Sequence, residues 1–291
     1  MTQRLDIDAW QAAGQTIPVA LGDGRHNVFA RVSGHGGPVT MLHGFPTSSI
    51  EWQGVLGALE AEHRVLAADF LGFGISDKPA ARYSIARQAD LVEELWRELD
   101  ISTTAIVGYD YGGMVAMELL ARSREGRLRT GLDRVVLLNT AIFSDTYRPR
   151  LLTRLMAHGP QAPLLGRLLN ERTVTRSWSE VFSADHPLEP ELAQDFWDLL
   201  QRDADRRPLQ RLLHFVPERR AYARRWDDAI AYCPVPLHLI WGLADLVSGS
   251  DAGIIPQRLP GARLIAMDDI GHAPHLEDPP TTARHLLTAL C

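Results

Sequence analysis

Lysine is almost missing from this chain. Lys78 is the only one among 30 basic residues, the rest being arginine. That bias reads as GC-rich codon usage and leaves open an arginine-lined site for acidic ligands. Cysteine is scarce as well. Cys233 and Cys291 supply neither a disulfide framework nor a metal-ligand spacing, so no metal site is expected and a reducing compartment fits. No run of about eighteen uncharged apolar residues occurs, so a membrane span is not expected. The stretch from Met1 to Gln15 carries charge and no long apolar segment, so no secretory signal is read there and a cytoplasmic protein is expected. An excess of positive charge is also absent. The net charge of −6 offers nucleic acid or an anionic membrane no electrostatic hold. No repeat, low-complexity tract or cofactor-binding motif is found, so no cofactor is expected.

What is present is an ordinary globular composition, 45% hydrophobic and 23% charged, patterned with a changing period. The short apolar runs Pro38 to Leu42, Arg64 to Ala68, Thr104 to Val107 and Arg134 to Leu138 have the length and β-branched content of buried strands. Between them, Ile85, Ala89, Val92, Trp96 and Leu99 fall on one face of an amphipathic helix. Met114 to Ala121 reads as a second, mostly apolar helix. Strands alternating with helices imply a parallel sheet with crossover helices, the α/β class. Strand signals stop near residue 141. From there to about residue 228 the sequence is arginine-rich, contains Trp178, Trp197 and Trp226, and is broken into short helices by seven prolines from Pro149 to Pro217. Strand signals resume at Val235 to Trp241 and Ala262 to Ala266, and a helix from about Pro280 to Leu290 closes the chain. The reading is one α/β core, residues 1–140 and 229–291, interrupted by a helical insertion, residues 141–228.

Gly108-Tyr109-Asp110-Tyr111-Gly112-Gly113 lies between a strand signal and a helix signal. Strand, glycine-flanked turn and helix make the frame of a nucleophile elbow, here with Asp at its centre. A reactive side chain on so sharp a turn sits on strained backbone, and neighbours bearing a Cβ would crowd it. An ionised carboxylate needs no base to attack and suits displacement at a saturated carbon. Two more reactive groups fall in loops that follow strands, where an open α/β sheet places its sites. Asp245 follows Trp241-Gly-Leu-Ala, with Asp251 nearby as the alternative acid. His272 follows Ile270-Gly271, with His275 as the alternative base. The order nucleophile, acid, histidine matches one of the known triad orders. Asp268 and Asp269 read as loop residues, and Asp69 as the residue that holds the glycine-rich turn after its strand. His43-Gly44-Phe45-Pro46 reads as half of an oxyanion hole, through the Phe45 N–H. The Tyr111 N–H would supply the other half.

On these residues the chain resembles the α/β-hydrolase superfamily, and within it the Asp-nucleophile branch of epoxide hydrolases and haloalkane dehalogenases. HGFPTSS, DFLGFGISDKP, the elbow, LLNTAIF, WGLAD and GHAPHLEDP carry the resemblance, which runs from about His43 to the C-terminus. HGFPTSSIEW, DFLGFGISDKP and DYG are also closely similar to the mesoderm-specific transcript proteins, a hydrolase-like group. The resemblance implies an α/β-hydrolase fold: a mostly parallel central sheet flanked by helices, with the insertion as a helical cap.

It also implies hydrolysis of a small, largely apolar substrate through an ester on Asp110, with Asp245 orienting His272. Dehalogenases usually place Trp after the nucleophile and Asn, Glu or Trp elsewhere to bind halide. Here Tyr111 follows Asp110, and Phe45 has no side-chain donor. The HG-Phe-Pro form is common among epoxide hydrolases, which use cap tyrosines to protonate the epoxide oxygen. Tyr147 and Tyr222 lie clearly inside the insertion and are the candidates for that contact. Epoxide opening to a diol is therefore the favoured expectation, with dehalogenation as runner-up. Ester or lactone hydrolysis, or a ligand-binding protein that kept the fold without turnover, are the further alternatives.

Overall fold

The computed structural model describes residues 4–80, 83–149, 170–201 and 212–291. Residues 150–169 and 202–211 of the expected cap, with Pro160, Pro163 and Pro208, lie outside the described residues. The described chain builds one eight-stranded sheet. Its strands are β1 (Gln15–Leu21), β2 (Gly24–Ser33), β3 (Gly37–Leu42), β4 (His63–Ala68), β5 (Thr103–Tyr109), β6 (Gly131–Leu138), β7 (Leu237–Gly242) and β8 (Arg263–Met267). Their spatial order is β1-β2-β4-β3-β5-β6-β7-β8. Strand β2 runs antiparallel to β1 and β4, and every other pairing is parallel.

The helices are α1 (Ile7–Ala12), α2 (Gln53–Glu60), α3 (Ile85–Glu98), α4 (Tyr111–Arg124), α5 (Glu171–Ser179), α6 (Pro190–Gln201), α7 (Phe215–Ala221), α8 (Ala223–Ala231), α9 (Ile255–Arg258), α10 (Pro274–Glu277) and α11 (Pro279–Leu290). Strand residues alternate between the two faces of the sheet, and the packing follows that parity. Ile106, Val135, Leu137 and Leu239 join the core under α3, α4 and α8. Their neighbours Val107, Val136, Leu138 and Ile240 join the core under α2 and α11. Both faces of the central strands are therefore covered, which is why these strands read as unbroken apolar runs.

The β1–β2 hairpin was not foreseen in the sequence. Buried residues alternate with exposed ones along β1, and Pro18 interrupts the run, a placement tolerated because β1 is an edge strand. Between β6 and β7 the described residues form helices α5 to α8 and no strand. Helix α8 seats on the mostly buried α4, where Trp226 Nε1 donates to Glu118 Oε2 at 2.9 Å. The fully buried guanidinium of Arg219 donates to the carbonyls of Ala141 and Ile142 at 2.7 and 3.0 Å and pairs with Asp227. It thereby pins the chain where it leaves the sheet.

Past β4, Asp69 accepts from the Ile75 N–H at 2.7 Å and from the Ser49 N–H at 2.8 Å, so it holds the glycine-rich turn and ties it to the segment after β3. Lys78 Nζ closes the same turn by donating to the carbonyls of Gly74 and Ser76 at 2.7 and 3.1 Å.

Candidate active site

The carboxyl ends of β3, β5, β6, β7 and β8 lie side by side, and each delivers one part of a single polar cluster. Strand β5 ends at Tyr109 and α4 begins at Tyr111, so Asp110 alone makes the turn, at φ 45° and ψ −109°. A non-glycine residue with positive φ is strained, and such strain persists only where the surroundings over-determine it. The surroundings here are close. A Cβ on Gly112 would lie 2.1 Å from the carbonyl oxygen of Leu42 at the end of β3, a clash with backbone that cannot turn aside. Glycine there lets α4 start directly against the neighbouring strand.

The Asp110 carboxylate is engaged on both oxygens. Oδ2 accepts the Phe45 N–H at 3.0 Å, and Oδ1 lies 3.6 Å from His272 Nε2. His272 Nδ1 donates to Asp245 Oδ2 at 2.8 Å. Asp245 also accepts from the Val247 N–H, the Ser248 N–H and hydroxyl, and Asn139 Nδ2, at 2.5 to 3.0 Å. Burial works against ionising Asp245, but the His272 charge and the Ser248 hydrogen bond outweigh it and hold its pKa far below the usual carboxylate range. For His272 burial likewise opposes charge. The Asp245 and Asp110 carboxylates overcome it and push the imidazole pKa up to about 10.

Of the paired alternatives, Asp245 rather than Asp251 meets His272, and His272 rather than His275 faces Asp110. Asp251 sits in the short turn after β7. His275 is fully buried behind the site, its ring 4.3 Å from that of Trp52 and 4.5 Å from that of Tyr109, with Nε2 3.6 Å from Glu51. Asp269 pairs with His186 at the surface, as a loop residue would.

Four supporting side chains had no role of their own assigned from sequence. Buried Glu51 accepts the Gly44 N–H at 2.7 Å and the Thr47 hydroxyl, which fixes the loop carrying Phe45. His43 completes that loop, its Nε2 accepting the Phe70 N–H at 3.0 Å and its Nδ1 donating to the Gly44 carbonyl. Asn139, at the end of β6, binds both N–H and C=O of Gly242 as well as Asp245. Glu277 gathers the backbone on either side of His272. Each stands inside a motif segment. Glu51 and Glu277 grip backbone within their own segments, while His43 and Asn139 reach Phe70 and Gly242 far along the chain, and motif position alone names none of these partners.

Of the two N–H groups expected to form an oxyanion hole, that of Phe45 reaches Asp110 Oδ2 in this structure. The Tyr111 N–H heads α4, where the first N–H groups of a helix have no intrahelical acceptor. The Tyr111 ring is fully buried among Phe70, Phe73 and Phe215, with centroids 5.2 to 5.5 Å apart. The Phe45 ring extends the cluster to Phe215, 5.6 Å away.

The two tyrosines of the insertion differ sharply. Tyr147 is 8% exposed. Burial, and then the Asp110 carboxylate, raise its pKa well above that of free tyrosine. Tyr222 is 45% exposed, lies against Trp226, and lines a surface groove with Ala121 and Arg124 at the far end of α4. This corrects the expectation that Tyr222 contacts substrate, because the break between α7 and α8 turns it outward. Among the described residues no cluster of His, Cys, Asp or Glu is arranged to hold a metal ion, and no helix is long and apolar enough to cross a membrane.

Residues 37–279 match the α/β hydrolase fold family. The chain belongs to that family. Among the relatives of this α/β-hydrolase, the putative hydrolase LipZ of Mycobacterium tuberculosis is 35% identical, covering 98% of each chain. The mesoderm-specific transcript protein of Mus musculus is 39% identical over 83% of this chain and 75% of its own length. Among solved structures, the haloalkane dehalogenase DbeA from Bradyrhizobium elkani superposes with a TM-score of 0.78 at 21% identity, covering 94% of this chain and 96% of that one. The epoxide hydrolase CorEH superposes with a TM-score of 0.73, also at 21% identity, covering 94% and 98%. The α/β-hydrolase fold is thus shared with enzymes of different leaving groups, and a fold shared in this way does not name a reaction.

Proposed function

We propose that this α/β-hydrolase opens epoxides to diols through a covalent ester on Asp110, beneath a helical cap formed by residues 141–228. The observation that carries the reading is Asp110 on its strained turn, with one oxygen toward His272 and the other on the Phe45 N–H. Oδ1 attacks an epoxide carbon, the C–O bond breaks, and the departing oxygen takes the phenolic proton of Tyr147. His272, charged in the resting site, passes its proton through solvent to the Tyr147 phenolate once the Asp110 charge is gone, and its Nε2 then takes a proton from water, whose oxygen adds to Asp110 Cγ. The N–H groups of Phe45 and Tyr111 receive the charge that gathers on Oδ2. Collapse breaks the Cγ–Oδ1 bond, and the second alcohol leaves with the proton of the acid just formed. His272 keeps the proton it took from water, which restores the resting site.

Halide displacement would form the same ester. It is the weaker reading because Phe45 has no side-chain donor and the Tyr111 ring is turned into the aromatic cluster. The direct test is a single turnover of styrene oxide in heavy-oxygen water. The diol should emerge unlabelled and Asp110 should carry the label; label in the diol instead would assign His272 as base for a direct attack by water. Tyr147→Phe should slow epoxide opening by about 100-fold or more, while ester formation from a bromoalkane, which needs no proton, stays near the wild-type rate. Unchanged epoxide turnover in this variant would remove Tyr147 as the acid.

A further inference from the structure

We infer that Glu277 is a positioning residue for His272, and that through it the hydrolytic half-reaction depends on the insertion being seated on the core. The Glu277 carboxylate accepts the N–H groups on both sides of His272, from Gly271 at 2.7 Å and from Ala273 at 3.0 Å. The same carboxylate accepts the Ser183 N–H of the insertion at 3.0 Å. The N–H of His272 itself donates to the Val181 carbonyl at 2.9 Å. His186 continues the clamp, its Nδ1 lying 3.2 Å from the Glu277 carbonyl and its Nε2 3.2 Å from Asp269, while the Ser183 hydroxyl accepts its N–H. The backbone that aims the imidazole is therefore tied to residues 181–186 of the insertion, not to its own strand alone. A Cβ on Gly271 would meet the Val181 carbonyl oxygen at 2.6 Å, which shows how closely the two segments lie.

Charge-assisted bonds to a carboxylate are the stronger kind, and one acceptor here serves three donors. Glutamine at position 277 keeps the size but leaves one oxygen to accept, so one or more of those bonds must fail. His272 would then lose its aim at the ester carbonyl, whereas Asp110, held by α4 and β5, would keep its own. This inference rests on the ester reading for its kinetic form, so it is tested in two ways.

The first readout needs no substrate. The downfield proton resonance of His272 Nδ1–H on Asp245, identified by its disappearance in Asp245→Asn, should be lost to solvent exchange in Glu277→Gln while the melting curve stays cooperative. The second follows styrene oxide in a single turnover. Glu277→Gln should slow ester hydrolysis by about 10- to 100-fold and leave ester formation near the wild-type rate. Should Glu277→Gln fail to fold, His186→Ala loosens the clamp from its exposed side and should shift both readouts in the same direction, by less. An unchanged resonance, or equal slowing of both steps, overturns the inference. If His272→Ala accumulates no ester, the ester reading falls instead, and the resonance still decides the role of Glu277.

Discussion

Asparagine in place of Asp110 should bring epoxide turnover down to background, a loss of at least about 10⁴-fold. The expectation is specific because the substitution spares the surroundings. Asn is among the residues most tolerant of positive φ, so the strained turn at φ 45° stays accessible to it. Its amide oxygen replaces Oδ2 as acceptor for Phe45 without changing the reach. What disappears is the negative charge that attacks carbon. A cooperative melting transition like that of the wild-type protein, together with no diol and no ester by mass spectrometry of the intact chain, is the expected pair of results. Substantial residual turnover would mean that the nucleophile lies elsewhere.

Replacement of His272 by Ala should have the opposite signature, with steady-state turnover falling by about 10³-fold or more while the intact protein gains the mass of one substrate. In the resting site His272 lies between two carboxylates, which hold its proton up to a pKa of about 10. Ester formation cancels the charge on Asp110, and with it one of the two interactions that retain that proton. Asp245 remains, held by Ser248 and Asn139 to orient the ring. The imidazole is therefore released to act as base at the stage when a base is needed. Without it the ester should persist, and its half-life, read by quenched-flow mass spectrometry, measures what His272 contributes. An alanine variant that turns over without accumulating mass would contradict the scheme.

Legibility in the sequence followed the range of the interactions. The elbow could be read because a one-residue turn between strand and helix forces glycine on its neighbours, as the approach of Gly112 to Leu42 illustrates. The central parallel strands were apolar on both faces and announced themselves. The β1–β2 hairpin, half exposed and carrying Pro18, did not. Asn139 pins backbone that β7 delivers, while Glu51 and Glu277 turn back on backbone of their own loops, and no local period or composition marks such residues. Tyr147 and Tyr222 could not be told apart for a related reason. Tyr147 lies in the loop after β6 and Tyr222 at the break between α7 and α8, and which way each faces is set by how those segments pack on the core, which local sequence does not show.

The single lysine has a consequence outside catalysis. Its ammonium is already spent on the Gly74 and Ser76 carbonyls of the turn that Asp69 anchors. Amine-directed chemistry, whether a cross-linker, a surface coupling or an enzymatic acyl tag, finds only this one side chain in the whole sequence. Attachment at that side chain must first unfasten the glycine-rich turn beside β4, which makes it a structurally costly address for a label.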